Sequence, residues 1–397
     1  MIVSRPLFEI FNAFAKLGLT SFGGPVAHMS FFRAEFVEKR KWLTDDAYAD
    51  LVALCQFLPG PSSSQVGFAL GVQRGGLFGG IAAFLAFTLP SALFLVLFAL
   101  YADTLSGTFG DGLIHGLKIV AAAVVAQAIL GMATSLCKTQ ATATIAALSL
   151  LIVTLIAGPL GQVLAITFGA FLGKFVNKSE HVPTFQNTPT RHIPVFAGYI
   201  ALAFFFALLL FLPLLAQFTS DLRIQLLDSF YRAGALVFGG GHVVLPLLKT
   251  EVVATGIVNK DSFLAGYGIT QAVPGPVFSF AAFLGAASAP MPDAALNAAI
   301  ATIAIFLPGF LLVYAMLPHW QKFRNWQGAR SILAGANAAV VGLLAAAFFT
   351  PIWQSTVLTA LDFALVIAAF LLLMVYKLPP WLVVLIGAIV GTLLGQI

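Results

Sequence analysis

Two Pro-Gly-Pro triplets, Pro59-Gly60-Pro61 and Pro274-Gly275-Pro276, each follow a glutamine, Gln56 and Gln271, by three residues. Proline has no amide donor, and the residue before it avoids helical geometry, so each triplet ends one helix and starts another. The new helix presents N–H groups without intrahelical acceptors and the positive end of its dipole, which is the chemistry of an anion site. Behind the first triplet stand Ser62, Ser63, Ser64 and Gln65, a set of hydroxyl and amide donors. Behind the second stand Val277, Phe278, Ser279 and Phe280, a much drier set. Two glycine runs, Phe22-Gly23-Gly24-Pro25 and Phe238-Gly239-Gly240-Gly241, can bring backbone up to a ligand or let helices pack closely. His28 and His242 lie beside these runs, where an imidazole can donate to an anion, titrate, or simply make a structural hydrogen bond. Arg33 and Lys249 each stand two residues before a glutamate, Glu35 and Glu251. The cations can draw an anion to two mouths of a pathway, and the carboxylates are candidate proton carriers. The plainer alternative is interfacial anchoring with a local ion pair within each couple.

The elements that must position these residues are membrane helices. Of 397 residues, 60% are hydrophobic and 9% charged, and the mean hydropathy is +0.99. A soluble domain carries about 25% charged residues, so a soluble enzyme and a disordered chain are excluded. The net charge of +5 does not mean nucleic acid, because the 20 lysines and arginines form no stripe or patch. Cys55 and Cys137 are too far apart in sequence for a ligand spacing and read as buried small hydrophobes. His115 and His319 fall near span ends, and His181 and His192 in a polar linker. No nucleotide loop, dinucleotide fingerprint, haem motif or zinc spacing is present. The chain therefore reads as a transporter or channel in the bilayer without cofactor or metal, and not as an enzyme.

Uninterrupted apolar stretches suited to spans lie near 77–101, 113–136, 141–157, 160–176, 195–217, 293–317, 330–350, 355–375 and 380–396. The pieces beside each Pro-Gly-Pro are too short to span. The breaks expose a repeat: Gly18, Phe22, Gly23 and Gly24 match Gly234, Phe238, Gly239 and Gly240 at an offset of 216 residues, as do Arg33, Glu35 and Asp45 with Lys249, Glu251 and Asp261. The Gln-x-x-Pro-Gly-Pro motifs follow after a one-residue slip, and Leu89-Pro90 aligns with Leu307-Pro308. The expected organisation is an N-terminal repeat over 1–177, a cytoplasmic linker over 178–194, a single helix over 195–217, and a C-terminal repeat over 218–397. The unpaired helix would invert the second repeat. Lys39, Arg40, Lys41, Arg74, Lys138, Lys174 and Lys178 then share the inner side with Lys322, Arg324, Arg330 and Lys377. The fold class is an all-α polytopic membrane protein of two inverted-topology repeats with broken or re-entrant helices, an arrangement that secondary transporters use.

The residues Phe22-Gly23-Gly24-Pro25, the run from Arg33 to Lys41-Trp42-Leu43, and Gln56-Phe57-Leu58-Pro59-Gly60-Pro61 resemble the chromate ion transporter family. Phe238-Gly239-Gly240-Gly241-His242 and Gln271-Ala272-Val273-Pro274-Gly275-Pro276 resemble its second repeat, in the long fused form. The resemblance implies a bacterial inner-membrane antiporter that exports chromate with the proton motive force and confers chromate resistance. A sulfate-like oxyanion of the same shape, a passive anion channel, and a homodimer stay open.

The inverted arrangement makes a direct prediction. Single cysteines placed in the loops at 103–111 and 322–328 should label from opposite sides of the membrane. Labelling from one side only is the outcome of a parallel repeat.

Overall fold

Inside hydrocarbon a backbone can satisfy its polar groups only as a helix or a closed barrel. The computed structural model describes residues 4–102, 108–156, 158–176, 194–238, 244–319 and 327–394, and these contain helices and no strand. The first repeat comprises α1 (Ser4–Thr20), α2 (Gly24–Phe32) running into a π-helical turn (Arg33–Lys39), α3 (Asp45–Phe57), α4 (Ser62–Ala102), α5 (Thr108–Leu136), α6 (Gln140–Leu155) and α7 (Pro159–Val176). Helix α8 (Val195–Gln217) stands alone. The second repeat comprises α9 (Leu222–Leu236), α10 (Val244–Leu248) with its π-helical turn (Lys249–Val253), α11 (Lys260–Thr270), α12 (Phe280–Ala287), α13 (Asp293–Met316), α14 (Gln327–Ala347), α15 (Ala360–Met374) and α16 (Pro380–Leu394).

The repeat extends to local detail. The Trp42 N–H donates to the Phe36 carbonyl at 2.8 Å and the Val258 N–H to the Val252 carbonyl at 2.9 Å, at corresponding places after the two π-helical turns. A threonine capping box opens both α6 and α15, through Thr139 with Thr142 and Thr359 with Asp362. Helix α4 is one helix only in name. Gly76, at φ 70° and ψ −163°, breaks it into arms 62–75 and 77–102. The arms meet through Gly71 and Gly79, where a methyl group on either would overlap the other's carbonyl. The second repeat builds the same hairpin from α12 and α13, with Gly285 packed on the Asn297 carbonyl.

Among the described residues, the second arm of α4 and helices α5, α8, α13 and α14 are long and apolar enough to cross a bilayer, so the protein is multi-pass. Of the other stretches expected as spans, 160–176 is helical throughout within Pro159–Val176, 141–157 as far as Leu155, and 380–396 over its described residues to Leu394. The stretch 355–375 has its main helix over only the 15 residues Ala360–Met374. A 15-residue helix is about 22 Å long against a hydrocarbon core of about 30 Å. The cap at Thr359 holds α15 to a late start, while the cap at Thr139 opens α6 one residue before the expected stretch. Helix α8 turns much of its surface outward, with Phe196 and Phe211 exposed, and rests on α9 and α13.

The two repeats interlock. Helix α5 packs on α15 and α16 of the other repeat, and α14 packs on α6 and α7. Glycines line both seams. Gly112 and Gly116 sit on the backbone at Gly391 and Gly387, and Gly169 and Gly173 on that at Gly335, so close that added methyl groups would overlap carbonyls. Lipid offers no hydrophobic drive for helix association, and close backbone approach supplies the packing attraction instead. His115 on α5 and Asp362 on α15 add a polar tie at 2.7 Å across the first seam.

Candidate functional site

Each Pro-Gly-Pro break is held by the glycine break of the opposite repeat. The Gly60 N–H donates to the Val237 carbonyl at 2.8 Å, and the Gly275 N–H donates to the Ser21 carbonyl at 2.9 Å. Ser21 and Val237 are repeat-equivalent, each standing before a Phe-Gly-Gly. Both donors lie in the left-handed region, Gly60 at φ 124° and Gly275 at φ 101°, where side chains are strained. Neither site has room for one. A Cβ on Gly60 would lie 2.9 Å from the Gly309 Cα, and one on Gly275 3.0 Å from Ser91 Oγ. Ser91 and Gly309 follow the aligned prolines Pro90 and Pro308 inside the long arms of their hairpins.

Chemically the two crossings differ. At the Gly275–Ser21 crossing His28 faces the Ser21 carbonyl, Ser63 faces His28, and Ser91 lies beside Gly275. The repeat counterparts of His28, Ser63, Thr88 and Ser91 are Val244, Phe278, Phe306 and Gly309, the last of which lies beside Gly60. His28 is fully buried, packed edge-on to Phe87 and stacked on Phe32. Its Nε2 lies 3.2 Å from the Ser21 carbonyl and its Nδ1 3.3 Å from Ser63 Oγ.

The first arm of α4 begins with open donors. Its first helical bond is from the Gln65 N–H to the Pro61 carbonyl at 2.9 Å, so the amides of Ser62, Ser63 and Ser64 precede any intrahelical acceptor. The capping residue, Pro61, has no side-chain oxygen to offer them. Gln65 braces this start by donating to the Pro59 carbonyl at 2.9 Å and the Gly309 carbonyl at 3.1 Å. Two side-chain atoms of this start, Ser64 Oγ and Gln65 Oε1, are buried without a protein partner, as are Ser21 Oγ and Thr88 Oγ1 of the same repeat and Gln271 Nε2 before the second break. Buried polar groups are usually paired, and such exceptions call for a ligand or water. The second-repeat start is closed by comparison. A tight 3-10 turn (Val277–Ser279) begins it, Ser279 Oγ is spent on the Pro276 carbonyl at 2.6 Å, and Phe280 packs against Phe263 and Tyr267.

Not every residue singled out by sequence joins this cluster. Gln56 is exposed and reaches only Met29 Sδ, at 3.6 Å. Pro25 opens α2 half-buried. Gly239, Gly240, Gly241 and His242 lie outside the described residues, as does most of the linker. Ser21, Thr88 and Ser91 were not singled out, and their signal is positional: they fall where the second repeat has valine, phenylalanine and glycine. A cavity of about 290 Å³ lies between α5, α11 and α16, lined by Phe98, Leu113, Leu117, Ile269, Trp381 and Val384. With such walls it offers an oxyanion no donors.

The local ion pairs expected within Arg33/Glu35 and Lys249/Glu251 do not form, because residues two apart on a helix point to different sides. Arg33 instead grips Asp45 with two bonds, 2.7 and 2.9 Å, and also meets Glu38. Lys249 donates to the neutral Thr350 carbonyl at 2.7 Å. Glu35 accepts from Arg40 at 2.7 Å and Lys39 at 3.4 Å. Asp228 and Glu251 share one arginine nitrogen, Arg232 Nη2, each at 2.8 Å. Both π-helical turns lie outside the candidate spanning helices. Burial alone would raise Glu35, but Arg40 and then Lys39 hold it below the ordinary carboxylate value. Burial raises Glu251, Arg232 offsets only part of this, and Asp228 adds to the rise.

The chain was compared with known proteins. The chromate transporter family matches residues 8–174 and 224–392, one stretch for each repeat. A probable chromate transport protein of Synechococcus elongatus is 30% identical over 355 residues, covering 86% of this chain and 83% of that one. The chromate transport protein of Cupriavidus metallidurans is 26% identical over 395 residues, 97% of this chain and 92% of its own. An uncharacterized transporter of Methanocaldococcus jannaschii is 26% identical over 343 residues, 85% of this chain and 82% of its own. No solved structure matches.

The unequal starts can be tested by substitution. A hydrogen bond to a charged group contributes about 1.5–3 kcal/mol, so losing one weakens binding roughly ten- to a hundredfold. Ser64→Ala should reduce the thermal protection given by chromate or sulfate, and Ser279→Ala should leave it unchanged. Loss of protection in the Ser279 variant alone would move the anion to the other half.

Proposed function

The chain belongs to the chromate transporter family, and on that premise we propose that it carries chromate across the membrane through the meeting point of the two Pro-Gly-Pro breaks. The observation that supports this is the start of α4, where the amides of Ser62, Ser63 and Ser64 precede any intrahelical acceptor and the Ser64 hydroxyl is buried without a protein partner. Chromate is a tetrahedral dianion that only accepts hydrogen bonds. Three amides, the Ser62 and Ser64 hydroxyls and the positive end of α4 offer it donors, and Gln271 Nε2, buried and unpartnered before the second break, is a further donor of the other repeat. Sulfate has the same shape and charge and meets the same donors.

In this reading the protein is a secondary transporter of the bacterial inner membrane, exporting its anion. An inside-negative potential contributes about 2.3 kcal/mol per charge per 100 mV, so the electrical part of the proton motive force already drives a dianion outward. Inversion of the second repeat, supported by the distribution of cations, gives the two halves opposite mouths. With Arg33 offset by two carboxylates, Lys249 is the stronger attractor of anions. Glu251 is the better of the two glutamates for passing a proton, since it shares a single arginine with Asp228 whereas two cations hold Glu35 ionised.

Reconstitution tests this reading. Purified protein in liposomes should give saturable chromate flux that speeds up when a potential drives the anion, and sulfate should compete. Equal fluxes in protein-containing and empty liposomes, for both anions, would overturn it.

A further inference from the structure

We propose that His28 and Ser63 form a proton-binding site linked to the anion site, so that each oxyanion binds together with one proton on the imidazole. The proposal rests on the oxyanion reading above and deepens it. Its basis is the count of hydrogens at two buried side chains. His28 Nε2 faces the Ser21 carbonyl at 3.2 Å, and a carbonyl only accepts. Nε2 therefore carries the hydrogen of the neutral ring, and Nδ1 is bare. Ser63 Oγ, 3.3 Å away, then donates its one hydrogen to Nδ1.

Ser63 belongs to the first turn of α4, among the amides that would hold the anion. Its single hydroxyl hydrogen can serve His28 or the anion, but not both. When His28 takes up a proton from solution, Nδ1 becomes a donor to Ser63 Oγ and the hydroxyl hydrogen is released to point at the anion. No covalent bond besides N–H changes, and one proton is bound per anion. The imidazolium also sets a full positive charge beside a dianion. Binding of each partner thus favours the other, and the linkage is reciprocal.

Among the described residues, the groups packed around the ring are otherwise engaged or apolar. Its neighbours are Ser21 at the end of α1, Phe32 along α2, and Ser63 and Phe87 on the two arms of α4. From α3, Tyr48 sends its hydroxyl to the Met29 carbonyl at 2.6 Å, and Asp50 and Cys55 are the other buried titratable groups there. On α1, Lys16 is exposed and Glu9 is taken by Trp42, Arg40 and Arg74. Glu35 and Arg33 of the following turn are bound to Arg40 and Asp45. The counterparts of His28 and Ser63 in the second repeat, Val244 and Phe278, can hold no proton. The repeat therefore does not duplicate the device, which lowers the charge moved with each dianion from two to one.

The test follows anion affinity against pH, using sulfate because it stays a dianion over the range. In purified protein, sulfate affinity from thermal shift should strengthen about tenfold for each unit the pH falls. His28→Asn keeps a donor for the Ser21 carbonyl but cannot titrate, and its affinity should be flat with pH. Should that variant fail to fold, binding heats of the unsubstituted protein in two buffers of different protonation enthalpy give the proton count directly, expected near one per anion. If chromate alone binds, the buffer comparison is made with chromate on the alkaline side, where it is already the dianion. A flat profile in the unsubstituted protein, an unchanged slope in His28→Asn, or no proton uptake would overturn the linkage while leaving the anion site standing. Protection by neither anion at any pH would overturn the oxyanion reading, and the linkage with it.

Discussion

A backbone amide freed by a proline break finds no acceptor in hydrocarbon, so it must be answered by protein. Gly60 and Gly275 are answered by the carbonyls of Val237 and Ser21, each across the boundary between repeats. The rest of the arrangement depends on this reciprocal pair of bonds. It requires glycine at both donors, since each has a positive φ and a neighbour about 3 Å from where a Cβ would sit. It requires the Phe-Gly-Gly breaks, which end α1 and α9 so that a carbonyl is left free. It also requires the two repeats to interlock, as the glycine seams of α5 with α16 and α14 with α7 allow. Neither repeat could keep its own break satisfied if separated from the other.

On this near-symmetric frame the side chains are unequal. The Gly275–Ser21 crossing carries His28 and Ser91, with Ser63 facing the histidine, whereas the repeat supplies valine, phenylalanine and glycine at the matching positions. Symmetry sets the geometry of two helix starts, and substitution leaves one open to an anion and packs the other shut. A polar atom without a partner costs about 1–3 kcal/mol in an interior. Two such atoms at one helix start are tolerable when a ligand or water regularly completes them.

Much of this was legible in the residues. The breaks, the repeat and the donor-rich start after Pro61 follow from proline and glycine chemistry and from polar matches at a fixed offset. The family resemblance read from those motifs agrees with the match over both repeats. What sequence could not give was pairing across the repeats. Leu89-Pro90 and Leu307-Pro308 looked like apolar coincidence, yet the residue after each proline packs on the opposite glycine. Arg33 and Glu35 looked like partners because they are close in sequence, but helical geometry sends them to Asp45 and Arg40. The boundary in α4 was legible, since Gln73-Arg74-Gly75-Gly76 separates a short apolar piece from the span at 77–101, but the sharp reversal at Gly76 that folds the two arms together was not. Helix α15 was overestimated at its start because hydropathy does not see the cap at Thr359.

The central claim is that the start of α4, held in place by the crossed glycine bonds, is where the oxyanion sits. Anomalous scattering from chromium in crystals grown with chromate measures this most directly. The account predicts one strong chromium peak within hydrogen-bond distance of the Ser62–Ser64 amides. A peak instead at Arg33 or Lys249, or beside Val277–Ser279, would contradict it.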